Sequence, residues 1–148
     1  MNTLVFSSVL RPHHRSELER LFFLNPRQDQ ARRQILAAVE RHGLPRLRTQ
    51  RGSLRITLDG CPEAQNLFAI EQQSLHSRVV GCIIYLREHA ERLTIAHLAV
   101  DPDYVLSAQE HRLPLAAELI AQVMDIARRI KGVQQVVLPY SGGRTLKL

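Results

Sequence analysis

The chain has 148 residues, enough for one domain with a buried core. Hydrophobic residues account for 45% and charged residues for 23% of the sequence, which excludes a low-complexity or disordered chain. Aromatic residues account for only 5% and tryptophan is absent, so the core is expected to be aliphatic. We therefore predict one domain that spans residues 1–148.

The formal net charge of +6 comes almost entirely from arginine, since Lys131 and Lys147 are the only lysines. Arginine forks match phosphate oxygens, so this excess is compatible with phosphate-bearing partners. Codon composition explains the same bias without any partner. The arginines are dispersed along the chain rather than blocked, which argues against a nucleic-acid-binding surface.

The two cysteines, Cys61 and Cys82, do not form a CxxC or another metal-ligand spacing. Cys82 lies within an apolar stretch and is interpreted as a small core residue. We find no signal peptide, no lipidation motif and no hydrophobic run of about 18 residues. A cytoplasmic protein without a membrane partner is expected.

The chain is predicted to begin with one strand and two helices. The strand covers residues 4–10, and the pattern Ser16-Glu17-Leu18-Glu19 is typical of a capping box that opens a short helix. A second helix is predicted from about 28 to 42, ended by Gly43-Leu44-Pro45. Its inward residues would be Ala31, Ile35, Leu36 and Val39. The histidines of this region, His13, His14 and His42, are interpreted as cap or surface residues.

Four strands are then predicted at 54–58, 66–71, 79–86 and 93–100, because each segment is apolar or alternating and a polar turn follows it. The short turns between them indicate an antiparallel meander. The basic segment 47–52 that precedes the first of these strands is predicted to be a polar connection.

The last part of the chain changes from strand to helix period. The strand 93–100 ends at Asp101-Pro102, and an apolar stripe at helical spacing follows from Pro114 to Ile130. Pro114 suits a first helical turn, and Lys131-Gly132 suits a helix end with a left-handed glycine. The segment 133–138 is again strand-like, so the whole stretch is predicted to be a βαβ crossover.

The predicted order β-α-α-β-β-β-β-α-β indicates an α/β (α+β) fold with a mixed, mostly antiparallel central sheet and helices on both faces. The loop before the last helix lies at the carboxyl end of a strand. A helix N-terminus there offers free backbone N–H groups to a phosphate, and an ordinary crossover loop is an equally good interpretation.

These segments together resemble the GNAT superfamily of acyl-CoA-dependent N-acetyltransferases. The matching segments are the strand 66–71, the start Val79-Val80-Gly81 of the next strand, the run His97-Leu98-Ala99-Val100-Asp101-Pro102-Asp103-Tyr104, and the helix and strand of 113–138. The resemblance covers residues 4–138 in element order and is specific between about 79 and 138.

The resemblance implies a cleft for acetyl-CoA or a related acyl-CoA. In the family, the fourth and fifth strands splay apart, the pantetheine arm pairs with the fourth strand, and the pyrophosphate binds the loop before the third helix. Carried onto this chain, the cofactor-binding residues would be Leu98, Ala99, Val100, His111, Arg112, Leu113, Pro114, Leu115 and Ala116. Pro114 and Ala116 stand where the family has glycines, and His111 stands where it has glutamine or arginine.

The carboxyl end also departs from the family, whose members continue with a further helix and two strands. This chain ends at Leu148, and neither Tyr104 nor Tyr140 matches the family's tyrosine that protonates the leaving thiolate. The last predicted strand would then be an open edge, and an open edge favours pairing with a second copy. On this ground a homodimer is predicted.

His97 and Glu71 are the candidate general bases. An imidazole near the opening of the cleft can deprotonate an amine directly or through water. The structural alternatives are a half-buried histidine bonded to backbone and a solvated glutamate at a strand end.

The function predicted is transfer of an acetyl group from acetyl-CoA to a primary amine, which is a small molecule or a peptide. Neutral amine would attack the thioester, whose carbonyl the backbone N–H groups around Leu98 to Val100 would polarise. The alternative is a degenerate member that binds CoA or a protein partner without turnover. A basic nucleic-acid-binding module is the third interpretation.

Overall fold

The computed structural model describes residues 3–25, 28–29, 32–104, 114–138 and 144–148. Its helices are α1 (Arg15–Phe22), α2 (Arg32–His42) and α3 (Leu115–Arg128), and a 3-10 turn at Pro12–His14 precedes α1. Its strands are β1 (Thr3–Ser7), β2 (Pro45–Gln50), β3 (Ser53–Leu58), β4 (Gln65–Gln72), β5 (Ser77–His89), β6 (Arg92–Val100), β7 (Gln135–Val137) and β8 (Thr145–Lys147).

The central sheet has six strands in the order β1-β4-β5-β6-β7-β8, and β2 with β3 forms a separate hairpin. Only β6 and β7 are parallel, because α3 connects them, and the other neighbours are antiparallel. The predicted mixed, mostly antiparallel sheet with helices on both faces is therefore confirmed.

Strands β4, β5 and β6 read as nearly continuous apolar runs because helices cover both of their faces. One core cluster joins the sheet to α1 and the β2–β3 hairpin, with Phe68 and Ile84 among its fully buried members. A second cluster joins the opposite face to α3 through Ile83 and Leu119. Each such side chain contributes about 1.5–3 kcal/mol by leaving water.

Helix α3 packs closely against β5 at Gly81. A Cβ atom at that position would lie 2.9 Å from Leu119 Cδ1 and 3.3 Å from Leu115 Cδ2, so a larger residue would have to displace these leucine side chains. The predicted helix end at Lys131-Gly132 is wrong by about three residues, because α3 ends at Arg128 with Arg129 as its C-cap, and Gly132, with a φ of 91°, lies in the turn that follows.

Three further predicted local features are wrong. Residues 45–50 form strand β2 rather than a polar connection, and β3 pairs with β2, so the meander contains only β4, β5 and β6. The capping box is absent, because α1 begins at Arg15 and places Ser16 inside the helix with no side-chain cap before it. Glu17 instead accepts hydrogen bonds from Val79 N at 2.9 Å and from the His14 ring at 2.9 Å.

Two of the three histidines taken as cap or surface residues are buried. His14 is 3% exposed and lies between Glu17 and the Ser77 hydroxyl, and His42 is 6% exposed on the inner side of α2. Leu36, predicted to face inward, is instead 54% exposed. The inner side of α2 is therefore rotated from the predicted one toward Ala38 and His42.

The outer edge of β7 is covered. Strand β8 pairs antiparallel with β7 through Val136 and Leu146, so the last predicted strand is not the open edge. The homodimer was predicted because this strand was expected to be an open edge. Since β8 covers the edge, it gives the homodimer no support. None of the described helices is long and apolar enough to cross a membrane.

Candidate active site at the splay between β6 and β7

The parallel pair β6–β7 is short. Its register comprises three residue pairs and ends at Thr94 opposite Val137, whereas β6 runs on to Val100. Within the part of the chain that the structure describes, residues 95 and 97–100 pair with β5 on one side, and residues 95–100 pair with no strand on the other. We call this parting of the two strands the splay.

A β-bulge in β6 lies at the base of the splay. His97 stands opposite Ile84 and Ile95 opposite Tyr85, so Ala96 is an extra residue without a partner on β5. A bulge turns two successive side chains to the same face. Ala96 accordingly packs in the α1-side core, and the His97 ring contacts Phe22 of α1.

The carboxyl half of β6 turns alternate backbone groups toward the splay. Asp101 N donates to Val80 O at 2.8 Å, so by the alternation of an antiparallel ladder the groups of Ala99 face β5 and those of Leu98 and Val100 face away from it. The Asn25 amide donates to Val100 O at 2.8 Å. Three residues of β6 were predicted to bind the cofactor. Leu98 and Val100 turn their backbone groups toward the splay, and Ala99 turns its groups toward β5.

A cavity of about 340 Å³ opens at the base of the splay, and we call it the splay cavity. Its floor is apolar, with Ile95 and Ala96 from β6, Val137 from β7 and Leu138 directly after β7. Its roof is α2, which contributes the side chains of Arg33, Arg41 and His42. The cavity thus places basic groups opposite an apolar strand floor.

The electrostatics of the roof centre on Glu88. Arg41 binds Glu88 Oε2 at 2.8 Å, and the Thr94 hydroxyl donates to Glu88 Oε1. Burial opposes ionisation of this carboxyl, yet the Thr94 hydrogen bond and the Arg41 charge outweigh burial and lower the pKa of Glu88. Burial lowers the pKa of His42, with Glu88 opposing and Arg41 reinforcing that shift. The His42 ring is therefore neutral at neutral pH.

His97 lies in a separate cavity of about 260 Å³, formed where α1 ends and α2 begins, which we call the His97 cavity. The side chain is 1% exposed, its ring centroid is 5.5 Å from that of Phe22, and its Nε2 has no hydrogen-bond partner among the described residues. Burial, and then the charge of His42, lower the pKa of His97 to about 4. This ring is also neutral at neutral pH.

Glu71 is placed apart from His97. Its carboxylate is buried and binds Arg78 Nε at 3.1 Å, and Arg78 Nη1 continues to Asp101 Oδ2 at 2.9 Å. Ile70 packs against the α1-side cluster, so alternation along β4 turns Glu71 toward the opposite face of the sheet from His97. The structure does not bring the two predicted bases together.

The first turn of α3 has one feature that favours a bound anion and one that opposes it. Pro114 precedes the helix with no side-chain cap, so the N–H groups of the first turn are available to an anion. Glu118 lies in that turn, and its buried Oε2 has no hydrogen-bond partner among the described residues. Leu115 is buried in the core and Ala116 is half-buried, while His111, Arg112 and Leu113 lie outside the described residues.

His42 is the site residue that sequence reasoning missed. Its position follows Ile35 and Ala38 at helical spacing, and that spacing alone would have placed it on the inner side of α2. The described residues contain no group of three or more histidine, cysteine, aspartate or glutamate side chains that could hold a metal ion.

No protein-family model matches the chain, and no curated protein matches it either. Among solved structures, it is similar to the N-acetylglutamate synthase from Neisseria gonorrhoeae, whose structure contains coenzyme A and N-acetyl-glutamate. The two chains are 18% identical with a TM-score of 0.44, and the match covers 92% of this chain and 25% of that one. This chain thus spans about a quarter of the length of that synthase.

Proposed function

We propose that this protein is an acyl-CoA-dependent N-acyltransferase that passes an acetyl group to a primary amine. The observation that carries the proposal is the early end of the β6–β7 pairing at Thr94 and Val137, directly beneath a cavity roofed by α2. Parting strands give an extended cofactor arm an edge to pair with, and the cavity gives the amine a place beside the end of that arm.

Residues of two elements would hold acetyl-CoA. The pantetheine arm would lie along the splay beside β6, where Asn25 already binds Val100 O, and the N–H groups of the first turn of α3 suit its diphosphate. Acetyl-CoA supplies a thioester carbonyl that an amine can attack. Glu118 opposes the diphosphate, because a carboxylate in the same turn repels an anion.

We place His42 first as the proton acceptor for the amine. It lines the splay cavity, and its neutral ring can take a proton from an acceptor ammonium group. We propose His97 and Glu71 as bases only after His42. His97 lies in the neighbouring cavity, and Arg78 already binds the Glu71 carboxylate.

The cofactor is tested by thermal unfolding with acetyl-CoA, with CoA and without ligand. At a hundred times Kd, one-site binding adds about 2.7 kcal/mol, which raises the Tm of a domain of this size by several degrees. We expect this rise with acetyl-CoA. An unchanged Tm up to millimolar acetyl-CoA would overturn the proposal.

Turnover is tested by following thiol release from acetyl-CoA across a library of primary amines. We expect His42→Asn to lower kcat by roughly 100-fold or more, and His76→Asn, a change on an exposed turn, to leave it unaltered. Because a base acts when it is unprotonated, wild-type activity should be lost as pH falls through the lowered pKa of His42, below 6.5. Full activity of His42→Asn would remove His42 from the mechanism.

A module that binds acyl-CoA without turnover is the second candidate function. Pro114 and Glu118 favour it, because the proline has no N–H group to donate and the glutamate brings negative charge to the helix end. A rise in Tm with acetyl-CoA, together with no thiol release for any amine, would select this candidate.

A further inference from the structure

We infer that the acceptor amine carries a carboxylate, which Arg33 and Arg41 of α2 bind in the splay cavity. The inference rests on the proposed acyl transfer and names its substrate class. Both arginines are among the residues that line the cavity, opposite the apolar floor of Ile95, Ala96, Val137 and Leu138.

The spacing along α2 directs both arginines to one side of the helix. Arg33, Ala37 and Arg41 follow each other at intervals of four residues, and all three line the splay cavity. Eight residues of helix separate the two Cα atoms by about 12 Å. The small side chain of Ala37 leaves the space between the two guanidinium groups open to a ligand.

The charges around the cavity leave an excess of positive charge. Glu88 is the acid bound there, and it pairs with Arg41, whereas Arg33 makes no ion pair with any described residue. Arg92 also acts on the charge of Glu88, and its buried Nε has no hydrogen-bond partner among the described residues. With His42 neutral, the charged residues among the described lining of the cavity are Arg33 and Arg41.

This excess of positive charge favours a ligand that carries an anionic group. A guanidinium fork donates two parallel hydrogen bonds to a carboxylate, whereas a second ammonium group on the ligand would meet like charge. The floor at Ile95 and Ala96 lies beside the splay, where the amine must react, and the arginines lie across the cavity from it. At about 340 Å³ the cavity suits a molecule of amino-acid size.

The test compares matched acceptors that differ only in charge. Thiol release from acetyl-CoA is measured with L-alanine against L-alaninamide, and with β-alanine against β-alaninamide. We expect kcat/KM to be at least 10-fold higher for the carboxylate of at least one pair. Equal rates within both pairs, in an enzyme that acetylates them, would overturn the inference and leave the proposed acyl transfer intact.

Variants assign the preference to the roof of the cavity. Arg33→Gln should lower kcat/KM about 10-fold or more for the carboxylate of the preferred pair and leave its amide unaffected. The control Arg48→Gln lies on the exposed face of β2 and should change neither. Arg33→Glu should move the preference toward 1,3-diaminopropane. If Arg33→Gln lowers kcat/KM equally for the carboxylate and its matched amide, Arg33 does not bind the carboxylate.

A binding experiment without acyl-CoA separates the two proposals. N-acetyl-β-alanine is titrated into the protein, and the arginine Nε–H signals are followed by NMR. We expect the Arg33 and Arg41 signals to shift in the wild type, and the Arg41 signal to need a higher probe concentration for the same shift in Arg33→Gln. If no amine is acetylated and this shift is seen, acyl transfer fails and the anion site stands. An unshifted Arg33 signal at saturating probe overturns the anion site.

Discussion

His97 occupies a position where its charged form is strongly disfavoured. The side chain is 1% exposed, and no described residue bonds its Nε2. Water around an unfolded chain would solvate the imidazolium, but the cavity between Phe22 and β6 does not. The folded state therefore binds this proton less tightly than the unfolded state.

This difference predicts how stability depends on pH. Since the pKa of His97 is lowered from 6.5 to about 4, its contribution is fully present above pH 6.5 and is lost as pH falls toward 4. At 1.36 kcal/mol per pKa unit the loss amounts to about 3 kcal/mol. Urea unfolding at a series of pH values between 7 and 4 measures it.

The matched variant for this measurement is His97→Gln, which removes the titrating ring. Its free energy of unfolding should fall less steeply between pH 6.5 and 4 than that of the wild type. The variant His76→Gln, at an exposed turn, should keep the wild-type slope. Equal slopes for His97→Gln and wild type would show that the buried ring does not titrate as described.

At the residue scale, sequence found the strand position of His97 and missed the burial of His42. The apolar run on both sides of His97 already predicted a core strand. His42 stands at the end of α2 before Gly43, a position that led to its interpretation as a cap or surface residue. Its helical spacing from Ile35 and Ala38 was the signal for its burial on the inner side of α2.

The β2–β3 hairpin is joined to the end of α2 by a close backbone contact. Gly60 N donates to His42 O at 2.9 Å, and Gly43 has a φ of 96°. A Cβ atom at position 43 would lie 2.2 Å from Gly60 N, a backbone atom that cannot rotate away. This contact helps to set the position of His42 in the roof of the splay cavity.

We predict that Gly43→Ala costs clearly more stability than Gly52→Ala. Both positions have positive φ, at a cost of about 1–2 kcal/mol for alanine, but a Cβ atom at Gly52 meets nothing within 4 Å. The clash at position 43 adds about 1–3 kcal/mol. Urea unfolding of both variants measures the difference, and equal losses would contradict the close contact.

At the element scale, the strands that helices cover on both faces were predictable and the hairpin was not. Residues 79–86 and 93–100 are apolar throughout, which few other structures permit. In β2 the exposed Arg46 and Arg48 alternate with Leu47, and only Leu47 packs against the core. One inward side chain is too weak a pattern to distinguish an edge strand from a polar connection.

The splay is a property of the whole molecule. It depends on where β7 leaves β6, and those strands are joined only through α3 and its flanking loops. Sequence predicted that the two strands are parallel neighbours, because a crossover helix lies between them. The residue pair at which they part, Thr94 with Val137, is fixed by packing that local patterns do not encode.

Hydrogen exchange with and without acetyl-CoA tests the splay as the binding site. The amides of residues 95–100 that exchange through local opening should be protected by the ligand. We expect their exchange rates to fall by up to about 100-fold when the acetyl-CoA concentration is a hundred times Kd. Locally exchanging amides of the hairpin 45–58 should keep their rates, because the hairpin belongs to a separate sheet. A third cavity, of about 420 Å³ beside Arg78 and Asp101, is the alternative binding site in this experiment. Protection confined to residues around that cavity would place the ligand there and remove the splay from the proposal.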